Sequence, residues 1–244
     1  MATVANRITG EISFSQGQLP VRVTGMQAMA GKMWVPFIAM GFMVVVAAFV
    51  YGLVNASVNA DYFQFSKEAR EAAAGGTTLA IQKAFIESTK AWLPSLKFLG
   101  MGMILGGVTF LLATILGSLR TGGARVQEAL GVPVKIIKPP MTAKMFPMIM
   151  MMGMMVLMAS LLIAIVLATI SYGYWNHSIA TELNPATEGS ALLQSLSTIT
   201  SITAWLAPFK FVGVALVLTG IGLALATIVR VLRWQSERLW NVLS

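Results

Sequence analysis

The stretch AWLPSLKFLG, residues 91–100, leads into a long apolar run, and AWLAPFKFVG, residues 204–213, leads into another. Sliding the chain along itself by 113 positions aligns residues 91–120 with 204–233 without a gap, and fourteen of the thirty pairs are identical. The identities include Trp92/Trp205, Lys97/Lys210, Phe98/Phe211, Gly100/Gly213, Gly107/Gly220 and Arg120/Arg233. Apolar helices share leucines through composition alone, but not a Trp, a Lys, two glycines and an Arg in one register. Upstream, LPVRV (19–23) matches VPVKI (132–136) at 113, and GKMW (31–34) matches AKMF (143–146) at 112. Gly41 pairs with Gly153 at 112, and YGLVNAS (51–57) resembles YGYWNHS (172–178) at 121. Self-similarity at a fixed period marks a duplication. The expected organisation is an N-terminal segment, 1–18, followed by two copies, 19–131 and 132–244.

The copied unit is a membrane unit. Hydrophobic residues make up 57% of the chain and charged residues 11%, where a soluble domain carries about a quarter charged. Mean hydropathy is +0.77. Four apolar runs, at about 33–54, 98–119, 145–174 and 211–231, reach the roughly 20 residues that a bilayer-spanning helix needs. None has an ionisable residue near its middle. The fold expected is all-α: a polytopic membrane protein with four transmembrane helices arranged as two tandem two-helix repeats. An even number of spans per copy makes the repeats parallel. The shift from 112 to 121 makes the first span of the second copy nine residues longer, which adds about 13 Å of helix. The first 23 residues lack an apolar signal-peptide core, so residues 33–54 are expected to serve as an uncleaved first span.

Charge sorts by segment. The N-terminal segment, the 120–144 loop and the C-terminal tail carry Arg7, Arg22, Lys32, Arg120, Arg125, Lys135, Lys138, Lys144, Arg230, Arg233 and Arg238 against Glu11, Glu128 and Glu237, or 11 − 3 = +8. The remaining segments carry six bases, Lys67, Arg70, Lys83, Lys90, Lys97 and Lys210, and six acids, Asp61, Glu68, Glu71, Glu87, Glu182 and Glu188. Lys and Arg collect on the cytoplasmic side, so both termini are expected in the cytoplasm, of a bacterial or archaeal cell membrane. The bases read as anchors facing anionic lipid, not as a nucleic-acid surface.

Few residues here carry chemistry. Cysteine is absent, which removes disulfides, thiolate ligands and thiol nucleophiles. His177 is the one histidine and reads as a polar cap at the end of the third span. Asn55-Ala-Ser57 and Asn176-His-Ser178 fit the glycan acceptor pattern, but so close to the membrane the asparagines read as helix caps. No paired carboxylates, nucleophile–base pair or phosphate loop is present. No cofactor or metal is expected, and no catalytic residue. Gly100, Gly107, Gly213 and Gly220, with Gly102/Gly106 and Gly222/Ala226 beside them, read as small-residue packing faces that let helices approach closely. Met145, Met148, Met152 and Met155 form one helical stripe in a Met-rich third span. Thioethers bind Cu(I), but methionine more simply fills an adaptable packing or partner surface.

Residues 77–92 and 190–205 read as short amphipathic outer helices, with Leu192, Leu196, Ile199 and Ile202 on one stripe of the second. VPVKIIKPP, residues 132–140, reads as an extended interfacial segment. Lys97 and Lys210, five residues after Trp92 and Trp205, sit at the outer ends of their spans. They either snorkel to the headgroups or, if the glycines join the second span to the fourth, share an anion: a lipid phosphate, a substrate carboxylate or a partner's acid.

The function expected is that of a non-catalytic accessory or structural subunit packed against other integral-membrane subunits and lipid. The alternative is a small transporter or channel, for which only Thr109, Thr114, Ser160, Thr169, Thr219 and Thr227 lie at depth. Copper handling by the Met stripe is the third reading.

Overall fold

The computed structural model describes residues 11–14, 25–137, 140–177 and 190–243. The LPVRV half of the upstream match, Glu182, Glu188 and Ser178 therefore lie outside the described residues, as does most of 1–18. The class is all-α, with four long apolar helices. In chain order the elements are β1 (Glu11–Phe14), α1 (Gly25–Phe63), α2 (Lys67–Glu71), α3 (Thr78–Ala129), β2 (Val134–Ile137), α4 (Met141–Trp175) and α5 (Ala191–Leu243). Each of α1, α3, α4 and α5 is long and apolar enough to cross a membrane. In hydrocarbon a backbone has no water to bond, so a helix that satisfies itself is the state these runs adopt.

The helices are longer than the apolar runs that announce them. α3 has 52 residues and α5 has 53, about 78 and 80 Å at 1.5 Å per residue, against a hydrocarbon core of about 30 Å. Residues 78–92 and 191–205 are not separate outer helices; they are the first turns of α3 and α5, which run unbroken through Pro94 and Pro208. Proline removes one N–H bond and crowds the preceding turn, yet each of the four long helices contains one: Pro36, Pro94, Pro147 and Pro208. The expected extra length of the third span is absent as well. α1 has 39 residues and α4 has 35, because α1 continues through Asn55 and Ser57 to Phe63.

Chain ends of the helices are set by local chemistry. α3 stops at a glycine turn: Gly131 has φ +68°, its N–H bonds Glu128 O at 3.0 Å, and Val132 N–H bonds Gln127 O at 3.2 Å, a Schellman closure. Ser66 Oγ accepts from Ala69 N–H at 3.2 Å to cap α2. Ser190 Oγ does the same for Leu193 N–H at 3.3 Å ahead of α5. The extended segment after α3 is realised as β2, which pairs antiparallel with β1 in the register Glu11↔Ile137 to Phe14↔Val134. Gln127 holds β2 from α3: Lys135 N–H donates to its Oε1 at 2.9 Å, and its Nε2 donates to Lys135 O at 3.1 Å.

The chain divides into two compact units: Met1–Ala39, Ile104–Met152 and Leu216–Ser244 form one, Met40–Met103 and Gly153–Ala215 the other. The division coincides with the charge sorting. The first unit contains the eleven bases and three acids that sum to +8, and the second the six and six that cancel.

In the first unit Leu116, Phe146, Ala224 and Val231 make the core where α3, α4 and α5 meet. Thr142 and Thr227 share a hydroxyl bond of 2.9 Å, and Gln235 Nε2 donates to Leu119 O at 2.7 Å. In the second unit the same three helices build two clusters. One is Leu99, Met103 and Leu157 with Phe98, Met154, Leu161 and Val214. The other is Ala164, Leu167 and Leu206 with Ala91, Trp92, Ile163, Ile199, Ile202 and Phe209. Along α4 the buried positions run Phe146, Met150, Gly153, Leu157, Ser160, Ala164, Leu167, Ser171 and Tyr174, with Ala168 buried beside this series; along α5 they run Leu206, Lys210, Gly213, Val217, Gly220, Ala224, Thr227 and Val231. Both series alternate steps of four and three, a narrow seam of the coiled-coil type.

Candidate functional site

The four glycines do pack, though not between α3 and α5. In the first unit a Cβ on Gly107 would lie 3.1 Å from both Trp34 O and Ile38 N, and one on Gly220 would lie 3.2 Å from Phe146 O and 3.4 Å from Met150 N. In the second unit a Cβ on Gly100 would lie 3.1 Å from Gly41 O, and one on Gly213 would lie 3.3 Å from Gly153 O. Gly100 and Gly107 thus seat α1 on α3, whereas Gly213 and Gly220 seat α4 on α5. The partners correspond in register: Trp34/Phe146, Ile38/Met150 and Gly41/Gly153 are each 112 apart, and the glycines 113. Gly102 faces the Leu157 side chain, while Gly222 faces open space, so the Gly222/Ala226 pair forms no close approach among the described residues.

This overturns the geometry in which α3 and α5 approach through glycine and bring two ammonium groups together. What does meet across those helices is Phe98 and Phe211, edge to face at 5.2 Å. One residue earlier on each helix stand the lysines, and their surroundings differ: Lys97 is exposed, whereas Lys210 retains 7% of its surface. Trp92 and Trp205 differ too. Trp92 stacks edge-on to Tyr51 at 4.9 Å and lines an open groove of about 510 Å³ with Ser88, Ile165, Ala168, Thr169 and Tyr172. Trp205 is 44% exposed and meets Phe209 of its own helix at 5.7 Å.

Most hydroxyls of the spans are occupied by their own helices. Thr109 donates to Leu105 O, Thr114 to Phe110 O, Thr169 to Ile165 O, Thr227 to Leu223 O and Ser160 to Leu157 O, all at 2.7–3.1 Å. Ser95 differs from these: it is fully buried, with its Oγ bonded to nothing.

A cation–aromatic cluster also lies in the second unit. Lys83 Nζ is 4.7 Å from the Trp175 ring centre and 5.9 Å from that of Tyr62, and pairs with Glu87 at 3.2 Å; Glu87 pairs also with Lys90 at 2.8 Å. Arg70 stands over Phe63 at 4.5 Å and over Tyr62 at 5.3 Å. The sequence reading missed it. Its trace there is the four-residue spacing of Lys83 and Glu87, which marks a helical ion pair; the aromatic partners come from α1 and α4 and leave no local signal.

The capping expectations divide. His177 Nδ1–H donates to Gly173 O at 2.7 Å, an exposed cap on the last turn of α4. Asn55 lies inside α1 and ends no helix, whereas Asn176 directly follows the last residue of α4 and donates its backbone N–H to Tyr172 O at 3.1 Å; the Oδ1 atoms of both are buried without partners. Gly76, with φ +78°, donates instead to the backbone O of Asn176 at 3.3 Å. The methionine stripe faces outward: Met145, Met148, Met152 and Met155 are 40–71% exposed. Among the described residues no group of three or more His, Cys, Asp or Glu side chains is placed to hold a metal.

Comparison with known protein families, curated sequences and solved structures gives no match to this chain. What the fold and the site define is a class: a multi-pass α-helical membrane protein.

Proposed function

We propose that this chain is a non-catalytic structural subunit of a larger membrane assembly, docking through the outward face of α4. The observation that carries the reading is the methionine surface: Met148, Met151, Met152, Met155 and Met158 are all about half exposed or more. Lipid is covered equally well by leucine or valine, whereas the unbranched thioether side chain adapts its shape to a protein partner. A solute pathway is less well supported, since hydroxyls at depth already donate to their own helix carbonyls and offer no row of free groups to a passing ion. Both termini and the 120–144 loop are read as cytoplasmic from their net +8 and the positive-inside rule. The two halves are read as copies of one helix pair, supported by the glycine seats that recur at 112 and 113.

Affinity purification of the full chain from native membranes in mild detergent, followed by native mass spectrometry, tests the subunit reading. A stoichiometric membrane partner is expected, with photo-methionine at Met148, Met152 or Met155 cross-linking to it. Recovery of the chain alone, moving solute across liposomes, would overturn the reading in favour of a transporter.

A further inference from the structure

The open groove between α3 and α4 lies wholly within the second unit, and its lining is ordered by polarity. α3 supplies Ser88 and Trp92, while α4 supplies Ile165, Ala168, Thr169 and Tyr172. Depth follows from chain position. Tyr172 stands three residues before the end of α4, and Ser88 sits between Glu87 and Lys90 in the sequence, so the hydroxyls of these two mark the end nearer water. Ile165 lies seven residues back along α4, about 10.5 Å deeper. Trp92 lies one turn past Ser88, toward the apolar run of α3.

The groove measures about 510 Å³, within the roughly 300–1,000 Å³ of small-molecule sites, and no charged side chain lines it. Thr169 donates to Ile165 O at 3.1 Å. Ser88 and Tyr172, in contrast, spend neither hydroxyl on another described residue. Trp92 is held by Tyr51 of α1, edge-on at 4.9 Å, which fixes one wall. The exposed phenylalanines of α1, Phe42 and Phe49, line no such hollow; a lipid chain there touches one helix face, whereas a chain in the groove is flanked by two helices.

We propose that this groove is a binding site for one membrane lipid, with an acyl chain along Ala168 and Ile165 toward Trp92 and its ester carbonyls accepting from Ser88 Oγ and Tyr172 Oη. The occupant matches the lining in two respects. Its polarity falls in the same direction as that of the groove, and the ester is the uncharged acceptor that a lipid carries where headgroup gives way to hydrocarbon. A charged phosphate has no counter-ion among the lining residues and stays outside. The methionines read as the docking face end at Met158, two turns before Ile165, so the lipid site does not rest on that reading.

The test titrates dioleoylphosphatidylcholine into the delipidated full chain in mild detergent, with native mass spectrometry counting bound lipid. Wild type is expected to bind one lipid saturably. Thr169→Trp, which places an indole in the groove from an exposed position, is expected to bind at least tenfold more weakly, and Leu162→Trp, exposed on the same helix but outside the groove, to bind as wild type does. Ser88→Ala and Tyr172→Phe each remove one neutral hydrogen bond and are expected to weaken binding by up to about tenfold. Should Thr169→Trp not fold, the wild type in phosphatidylcholine vesicles decides: a phosphatidylcholine with a diazirine on its acyl chain is expected to label the segment from Ile165 to Tyr172 several-fold more than that around Phe42 and Phe49. Absence of a saturable lipid, equal binding by Thr169→Trp, even labelling of the two segments, or a polypeptide cross-linked at Ile165 and Tyr172 in native membranes overturns the site.

Discussion

Replacing Gly107 by alanine probes a close backbone approach of α1 to α3. The added methyl would stand 3.1 Å from Trp34 O and from Ile38 N, and 2.5 Å from Ile38 Cγ1, where ordinary contact begins near 3.4 Å. Cγ1 is bonded to the branched Cβ, where isoleucine is stiffest, and the two backbone atoms cannot turn aside, so α1 must retreat by roughly 0.3 Å or more along a seam that holds it narrowly. Overpacking of this kind costs about 1–3 kcal/mol, and the gain in helix propensity from glycine to alanine returns up to about 1 kcal/mol. The net loss is about 1–2 kcal/mol, or about 2–8 °C in unfolding midpoint at 2–4 °C per kcal/mol. Gly222→Ala is the control, since nothing lies within 4 Å of its Cβ position; propensity alone acts there and the midpoint is expected to hold or rise. Gly220→Ala falls between them, its nearest backbone atom being at 3.2 Å. Scanning fluorimetry on the six tryptophans reads all three without a thiol dye, which a cysteine-free chain could not take up. A Gly107→Ala protein as stable as Gly222→Ala would refute the argument that this crossing is set by backbone contact.

Gln127→Leu removes both bonds to Lys135 while preserving bulk, at a cost of about 1–3 kcal/mol. Hydrogen exchange of the Lys135 amide should then accelerate well beyond that of the α3 amides; unchanged protection would mean that β2 is held by other means. Single cysteines report topology cleanly in this background: one at Ala74 should react with an impermeant maleimide in intact cells and one at Ser244 should not, and the reverse pattern would invert the assignment. His177→Ala removes an exposed cap and should lower the midpoint by no more than a few degrees, with assembly and any activity of the complex near wild type. Loss of activity with assembly intact would contradict a purely structural role.

How much was legible followed from what each signal measures. Hydropathy registers contact with lipid, so the middles of all four spans were readable, but it falls silent where a helix continues beyond the bilayer. For that reason the first turns of α3 and α5 looked like separate helices, and Asn55 looked like an end. Small residues showed that helices approach closely, but glycine carries no mark of its partner, and the pairing of Gly100 and Gly107 with α1 became visible only in three dimensions. VKII was readable as extended, whereas EISF gave no sign of its pairing. Least legible was the difference between Lys97 and Lys210. Identical neighbours, Trp five before and Gly three after, leave one at the surface and one inside, because burial depends on which side of each helix its neighbours cover.

The alternation of four and three along α4 and α5 also sets a rule for length. Seven residues make two turns with a drift of only about 20°, whereas one residue turns a helix by about 100°. A single insertion after Val217 would bring Thr219, Leu223 and Ala226 into the seam where Gly220, Ala224 and Thr227 now lie, filling the seat against Phe146 and breaking the Thr142–Thr227 bond. An insertion of seven would leave the face intact and lengthen the helix by about 10.5 Å. Any relative of this protein that is longer or shorter in these helices should therefore differ in steps of seven, with smaller changes confined to the loops.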